Sequence, residues 1–543
     1  MPVSSPSPSL QKSPRPALRF WPAWLILLVT ALTLAGVRSY DGISFQKRNL
    51  TTLVVGVVAL SLLLGWWLGF SRSRGRGRWG VPLALVLALA LGAGLFRVRG
   101  VSGDLVPIWE PRWVRSSRAP KGGTVAVEIA GGAAIVNAPR LAMAAAAVGR
   151  PDFPQFLGPD RNAVLAGPAL AADWVAHPPE ILWRSQVGAG WSGFVVVGAR
   201  ALTQEQAGPR ERVTCRDLFS GAVLWSHEDE ARYDNPIGGE GPRATPTVVG
   251  NRVYTLGSTG RLNALELATG QVKWTRDIVG EAGSQVPDWG CAGSPLFLEG
   301  RIIVSAGGKK QQSLIAYQAD TGERVWAAGE AAASYGSPMV MTLAGRRQIV
   351  VFNHRRITGH DAVDGAVLWE HPFGAGQPHV AVPVVVGPDR VVFSAGYGVG
   401  SELLKVSEGA GGKWGAEVIW RSLKMKAKFA NPVARAGYLY GLDDGMLACL
   451  DLKDGSQVWK EGRLGHGQGL WVGDLYLLMA ENGELVLMRP SAAGANELHR
   501  FRVFAAKTWN PIALAGDVLL VRNDQEAVAL RVTLAKNPEA GAL

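Results

Sequence analysis

Residues 264–274 read ALELATGQVKW. A short apolar stretch is followed by Thr269-Gly270, and a second β-like stretch then ends in Trp274. Four other segments share the design: CRDLFSGAVLW (215–225), AYQADTGERVW (316–326), GHDAVDGAVLW (359–369) and CLDLKDGSQVW (449–459). In each, a glycine stands four residues before the tryptophan, at Gly221, Gly270, Gly322, Gly365 and Gly455, preceded by Ser, Thr or Asp. Glycine reaches positive φ without steric cost, and the small polar residue before it favours a tight turn. Each copy therefore reads as strand, turn, strand, with the indole on the second strand.

Trp183 and Trp420 extend the series, and Phe501 continues it after Trp459, so eight positions recur 39 to 52 residues apart. Between copies lie further paired strand candidates such as TVVGNRVYTL (247–256) and LFLEGRIIVS (296–305). Four short strands in every 40–50 residues are the signature of a propeller blade, and eight positions imply eight blades. A flat tandem β-array is the structural alternative. Residues 518–534 supply strands with no following Trp strand, while 181–187 supply a Trp strand with none before it. One blade completed from both ends closes the ring and leaves no free edge. The fold class is all-β, an eight-bladed propeller over 151–534, with a tail at 535–543.

The net charge of +12 first suggests nucleic acid, but its location argues otherwise. Residues 1–121 hold 16 Lys/Arg against 3 Asp/Glu, whereas the remaining residues hold 40 against 41. The basic segment contains three uncharged apolar runs, 20–37, 51–70 and 79–96, each of the length that spans a bilayer. Trp21, Trp24, Trp66, Trp67 and Trp79 sit near their ends, where indoles favour the interface. Three transmembrane helices are expected after a cytoplasmic tail (1–19), although the first run also has the form of a cleaved signal peptide. Basic residues in the tail and at Arg72, Arg74, Arg76 and Arg78 place those segments inside, and the propeller on the extracytoplasmic side. Residues 97–150 read as a linker with one short helix. No nucleic-acid partner is expected.

The A-x-D-x-x-T-G-x-x-x-W-like repeat resembles the docking motif of pyrroloquinoline-quinone (PQQ) propellers, and residues 152–162 (DFPQFLGPDRN) resemble the leading segment of PQQ-like repeat proteins. The resemblance implies that Trp183, Trp225, Trp274, Trp326, Trp369, Trp420 and Trp459 pack between adjacent blades as scaffold. Within that superfamily, quinoprotein dehydrogenases bind PQQ and calcium, whereas BamB-like propellers bind proteins. Quinoprotein alcohol dehydrogenases carry a vicinal Cys-Cys pair; here Cys215, Cys291 and Cys449 stand alone. No Glu/Asn/Asp cluster suggests a calcium site, and no metal is assigned. The eight His have no metal-type spacing; His354 and His360 read as surface or loop residues.

The segments approaching each inner strand should converge on one mouth of the channel. Arg243, Lys428, Lys507 and His466 are its polar ligand-binding candidates, and Trp289 and Trp509 its flat surfaces. The same positions also read as an ordinary channel rim, with Ser, Asn and Gln side chains capping loop backbone groups. The expected function is that of a membrane-anchored, non-catalytic binding or scaffold module in a bacterial inner membrane, with protein partners at a face or rim. The alternative is a PQQ-dependent oxidoreductase acting on alcohols or sugars, in which Asp288 is the base and PQQ and calcium are the cofactors.

Overall fold

The computed structural model describes residues 19–40, 45–71, 76–113 and 150–535. The chain divides into two units, 1–115 and 116–543. In the first, helices α1 (Trp21–Ser39), α2 (Phe45–Gly69) and α3 (Arg76–Leu95) are each long and apolar enough to cross a membrane. Their apolar side chains face outward; Trp24, Leu32, Leu53 and Leu89 are all more than half exposed. A helix that is apolar all round and unburied by protein has lipid as its solvent. All three helices extend past the apolar runs into basic residues. Arg48, in the first turns of α2, donates to the carbonyls of Arg38 and Tyr40 at the end of α1, so those charges cap a neighbour (3.2 and 2.7 Å). Between 97 and 113 the chain forms a hairpin rather than a plain linker, with strands Phe96–Val101 and Pro107–Pro111. The Ala-rich stretch 141–148, where a short helix is expected, lies outside the described residues.

The second unit is an eight-bladed β-propeller. Blades 1 to 7 span 195–229, 247–277, 296–328, 339–372, 384–422, 433–463 and 468–502. Blade 8 takes three strands from 513–531 and its outer strand, Glu180–Gln186, from the beginning of the domain. That strand pairs antiparallel with Glu526–Arg531, so the first and last parts of the domain lock each other into the ring.

The repeat is explained by how blades dock. On the outer strand of one blade the indole lies over the turn glycine of the next. A Cβ on Gly221 would come within 2.6 Å of the Trp183 ring, and one on Gly322 or Gly455 within 2.6 Å of Trp274 or Trp420. These glycines also have φ near +70°, so both the backbone and the neighbouring ring exclude a side chain. The indole N–H donates to a carbonyl in the same turn region: Trp183 to Leu218, Trp225 to Leu267, Trp274 to Ala319, Trp420 to Leu452 and Trp459 to Ser491, at 2.8–3.0 Å. Two positions depart from this pattern. Trp326 packs over Gly365, but its N–H has no acceptor among the described residues. Trp369 turns onto its own blade and donates to Gln348 Oε1 (2.6 Å). The turn that would receive it, in blade 5, is the irregular 409–412.

His360 corrects an expectation. It is not a surface residue but is fully buried in the strand Arg356–Asp361, with Nδ1 2.8 Å from Gly365 O and Nε2 2.9 Å from Thr358 Oγ1. Burial holds its pKa below the usual imidazole value. His379 is also fully buried, stacked on Phe352 at 4.1 Å with Nδ1 2.7 Å from Asn353 O, and burial lowers its pKa to about 4. From pH 6.5 down to about 4 the unfolded chain binds protons that the folded one refuses, so stability falls as pH falls through that window. The His379 shift alone corresponds to about 3 kcal/mol. Urea unfolding at pH 7 and at pH 4.5 should show this loss, and His379→Phe should shrink the difference. An equal difference in the variant would refute the assignment.

Candidate functional site

The loops leading into the inner strands meet at one end of the channel. Their small polar residues form a belt that passes from blade to blade. Gly193 N donates to Thr245 Oγ1, Thr245 N to Ser294 Oγ and Ser294 N to Ser337 Oγ (2.9–3.0 Å). Tyr335 N donates to His379 O, Val382 N to Asn431 Oδ1 and Gln468 Nε2 to Phe429 O. Asn510 Nδ2 closes the circuit on Gly190 O and Ser192 O (3.0 and 2.9 Å). These side chains therefore satisfy loop backbone groups, which a buried turn requires.

Above the belt stands a collar of aromatic rings. Trp191 and Trp509 meet at 4.8 Å between centroids, and Trp509 meets Phe429 at 4.8 Å. Phe429 adjoins His466 (5.6 Å), and Lys428 Nζ lies 3.4 Å from His466 Nε2 and 5.4 Å from the Tyr397 centroid. Tyr397, on a loop within blade 5, stacks on Trp289 at 6.3 Å, and Trp289 also adjoins Tyr335 (5.3 Å). The ring closes through the 233–241 loop: Trp191 Nε1 donates to Gly238 O (2.6 Å), and a Cβ on Gly238 would lie 3.1 Å from Trp289.

Five of the six binding candidates, Trp289, Lys428, His466, Lys507 and Trp509, thus share one continuous cluster, and Arg243 adjoins it beside Trp289. The cations are engaged by neighbouring groups. Arg243 donates to the carbonyls of Gly241, Gly239 and Gly238 (2.5, 3.0 and 3.2 Å) and lies over the Tyr233 ring at 4.8 Å. Burial lowers its pKa to about 10. Lys507 Nζ lies 3.6 Å from the Trp509 centroid and 4.9 Å from that of Trp191. The same desolvation drives the Tyr335 phenol up to about 12 and raises Tyr397 further. Asp288 enters through its backbone: its carbonyl accepts from Tyr233 Oη and Asn235 Nδ2, while the residue itself is exposed at the rim.

Trp191 and Phe429 lie in approach segments that the sequence already brings to the mouth, whereas Tyr233 and Tyr397 carry no sequence signal that would place them there.

Residues 153–165 run across the inner strands. Phe153 bridges to Val196 on the inner strand of blade 1, and Pro154 O accepts from Val248 N on that of blade 2. Val164–Leu165 add a parallel strand to the inner edge of blade 7. Between them Arg161, 3% exposed, donates to Pro295 O, Ser294 O and Pro338 O at the approaches to blades 3 and 4 (3.0–3.3 Å). No carboxylate contacts this guanidinium among its described hydrogen bonds, and burial lowers its pKa to about 9.

Calcium takes six to eight oxygen ligands, several of them carboxylates. Among the described residues no three His, Cys, Asp or Glu side chains converge. Glu481, the carboxylate at the collar, accepts from His466 N and Trp509 Nε1 (3.0 and 2.9 Å). The donor set does not fit that ion. The rings and cations have the chemistry to hold a flat anion, but they pack on one another.

The family model described as outer membrane protein assembly factor BamB matches residues 209–461. No curated protein sequence matches the chain. Among solved structures, a europium-containing methanol dehydrogenase is 11% identical with a TM-score of 0.52, covering 70% of this chain and 98% of its own. The quinohemoprotein alcohol dehydrogenase ADHIIG from Pseudomonas putida HK5 is 11% identical with a TM-score of 0.50, covering 75% and 84%. BamB from Moraxella catarrhalis is 13% identical with a TM-score of 0.46, covering 65% and 99%. At these identities the likeness is one of fold. The repeats are of the PQQ-like, BamB-like type, and the fold is one that the two dehydrogenases also have.

Proposed function

We propose, from repeats of this PQQ-like, BamB-like type, that the protein is a membrane-anchored binding propeller. Three helices hold it in a bacterial inner membrane, the propeller stands on the periplasmic side, and the collar and rim loops bind a protein partner without catalysing a reaction. The observation that carries this reading is the engagement of the collar cations. Arg243 is tied to three carbonyls of its own loop, Lys428 lies against His466 and Tyr397, and Lys507 lies over two indoles. The half-buried members of the cluster, Tyr233, Arg243, Trp289, Tyr335 and Tyr397, have the Trp, Tyr and Arg composition of a protein-binding hot spot, while Lys428, His466, Trp191 and Trp509 are buried behind them. The oxidoreductase reading draws support from the same flat faces and cations. It needs Asp288 as a base and a calcium site; the first is an exposed rim residue, and among the described residues no three carboxylate, His or Cys side chains converge to form the second.

A photo-crosslinking residue placed at Trp289 or Lys507 in native membranes should give one discrete protein adduct. The same residue at Val363, exposed on a turn of blade 4, should not. Adducts of equal yield at all three positions, or none at the collar, would count against the reading.

A further inference from the structure

Helix α3 ends at Leu95 and the chain enters the hairpin at Phe96 without an intervening loop. In its register Phe96 stands opposite Pro111 and Val98 opposite Trp109, which puts these four on one face; Arg97 stands opposite Glu110 on the other. Arg97 and Glu110 form an ion pair at 2.7 Å. The apolar face is bare: Val98 is 51% exposed, Trp109 63%, and Trp113, whose ring adjoins Phe96 at 6.0 Å, 66%.

Both ends of the hairpin are tied to helix ends. Arg112 N donates to Leu95 O (2.8 Å), and Arg112 Nε donates to Ala93 O (2.9 Å) and Phe96 O (3.3 Å), which supplies donors to the last carbonyls of α3. At the tip, Asn49 Nδ2 near the start of α2 donates to Asp104 O (3.0 Å). The hairpin therefore bridges the α2 start and the α3 end, which lie on the same side of the helix bundle.

We propose that this hairpin is a membrane-interface plate, with Phe96, Val98, Trp109 and Trp113 seated at the boundary of lipid headgroups and acyl chains and the Arg97–Glu110 pair turned to water. Continuity with a membrane span fixes the occupant. A two-stranded hairpin with exposed tryptophans, held at the level where a helix leaves the hydrocarbon, lies at the depth that indoles favour. In water the same bare face would be an unfavourable apolar patch. The plate sets where the chain leaves the bilayer, whichever side that is, and does not depend on what the propeller binds.

Full-length protein carrying Val98→Cys, Trp113→Cys or Glu110→Cys is labelled with an environment-sensitive fluorophore. The three native cysteines are buried and should not react. The protein is reconstituted in phosphatidylcholine–phosphatidylglycerol vesicles containing a lipid with a nitroxide high on its acyl chain. Labels at 98 and 113 should emit to the blue and be quenched at least threefold more than the label at 110. Equal quenching at all three sites would overturn the proposal. So would blue-shifted emission at 98 and 113 without lipid quenching, since that result means the face is covered by protein.

Discussion

Trp274→Ala should destabilise the propeller by about 3–5 kcal/mol, the range for truncating a buried Trp. The indole lies between Tyr254 and Tyr317 (6.0 and 6.4 Å), covers Gly322 of the next blade and donates to Ala319 O. Ala319 O keeps a second donor in Tyr254 Oη (3.2 Å), so the expected loss is mainly packing and cavity rather than an orphaned carbonyl. Trp326 provides the internal comparison. It is only half-buried and its N–H has no acceptor among the described residues, so Trp326→Ala should cost clearly less. Gly322→Val should approach the Trp274 effect from the opposite side, since its Cβ would strike the ring and its φ of +73° disfavours a branched residue. Urea unfolding followed by fluorescence measures all three. Negligible losses for both tryptophan variants would mean that inter-blade docking is not what the repeat encodes.

The second large effect is expected at Arg161, where the conservative replacement should be the worse one. The guanidinium fans its donors across the carbonyls of Ser294, Pro295 and Pro338. Lysine keeps a buried charge but has a compact head that cannot span three acceptors from two blades. Arg161→Lys should therefore cost about 3–5 kcal/mol, the range for leaving a buried charge poorly compensated. Arg161→Met removes the charge together with its desolvation cost. It leaves Ser294 O and Pro338 O short of a donor, whereas Pro295 O retains Thr247 Oγ1 (2.6 Å), so its loss should be smaller. The segment around Arg161 also holds Leu157, Arg161 and Ala163 at positive φ, a strained path that these contacts sustain. If Lys proved as stable as Arg, the segment would not depend on the fork geometry.

These two sites mark the limit of what the sequence makes legible. Docking needs a large flat side chain and a residue without Cβ at a fixed spacing, so blade after blade repeats Gly and Trp, and the fold can be read from that period. Where the receiving turn is irregular, as at 409–412, the pattern fades and Trp369 finds a different partner. Arg161 has no such signature. Its acceptors lie more than 130 residues away, and they are backbone carbonyls, which every residue possesses. The mouth was partly legible for the same reason. Trp289, Lys428 and Trp509 stand in predictable approach loops, but Tyr397 reaches the collar from inside blade 5. The locking of Arg243 onto its own loop is likewise a tertiary fact. The hairpin at 96–111 is broken by Pro107, Pro111 and a bulge beside Gly100, which hides the alternation that would have announced it.

If the collar binds a protein partner as proposed, its rings and cations leave no seat for a quinone. Adding PQQ with calcium to the purified full-length protein, while following quinone absorbance and dye reduction over a panel of alcohols and sugars, tests it most directly. The quinone spectrum should stay unchanged, with no dye reduction above the protein-free rate. A saturable, calcium-dependent spectral shift, with substrate-driven dye reduction that Trp289→Ala abolishes, would contradict it.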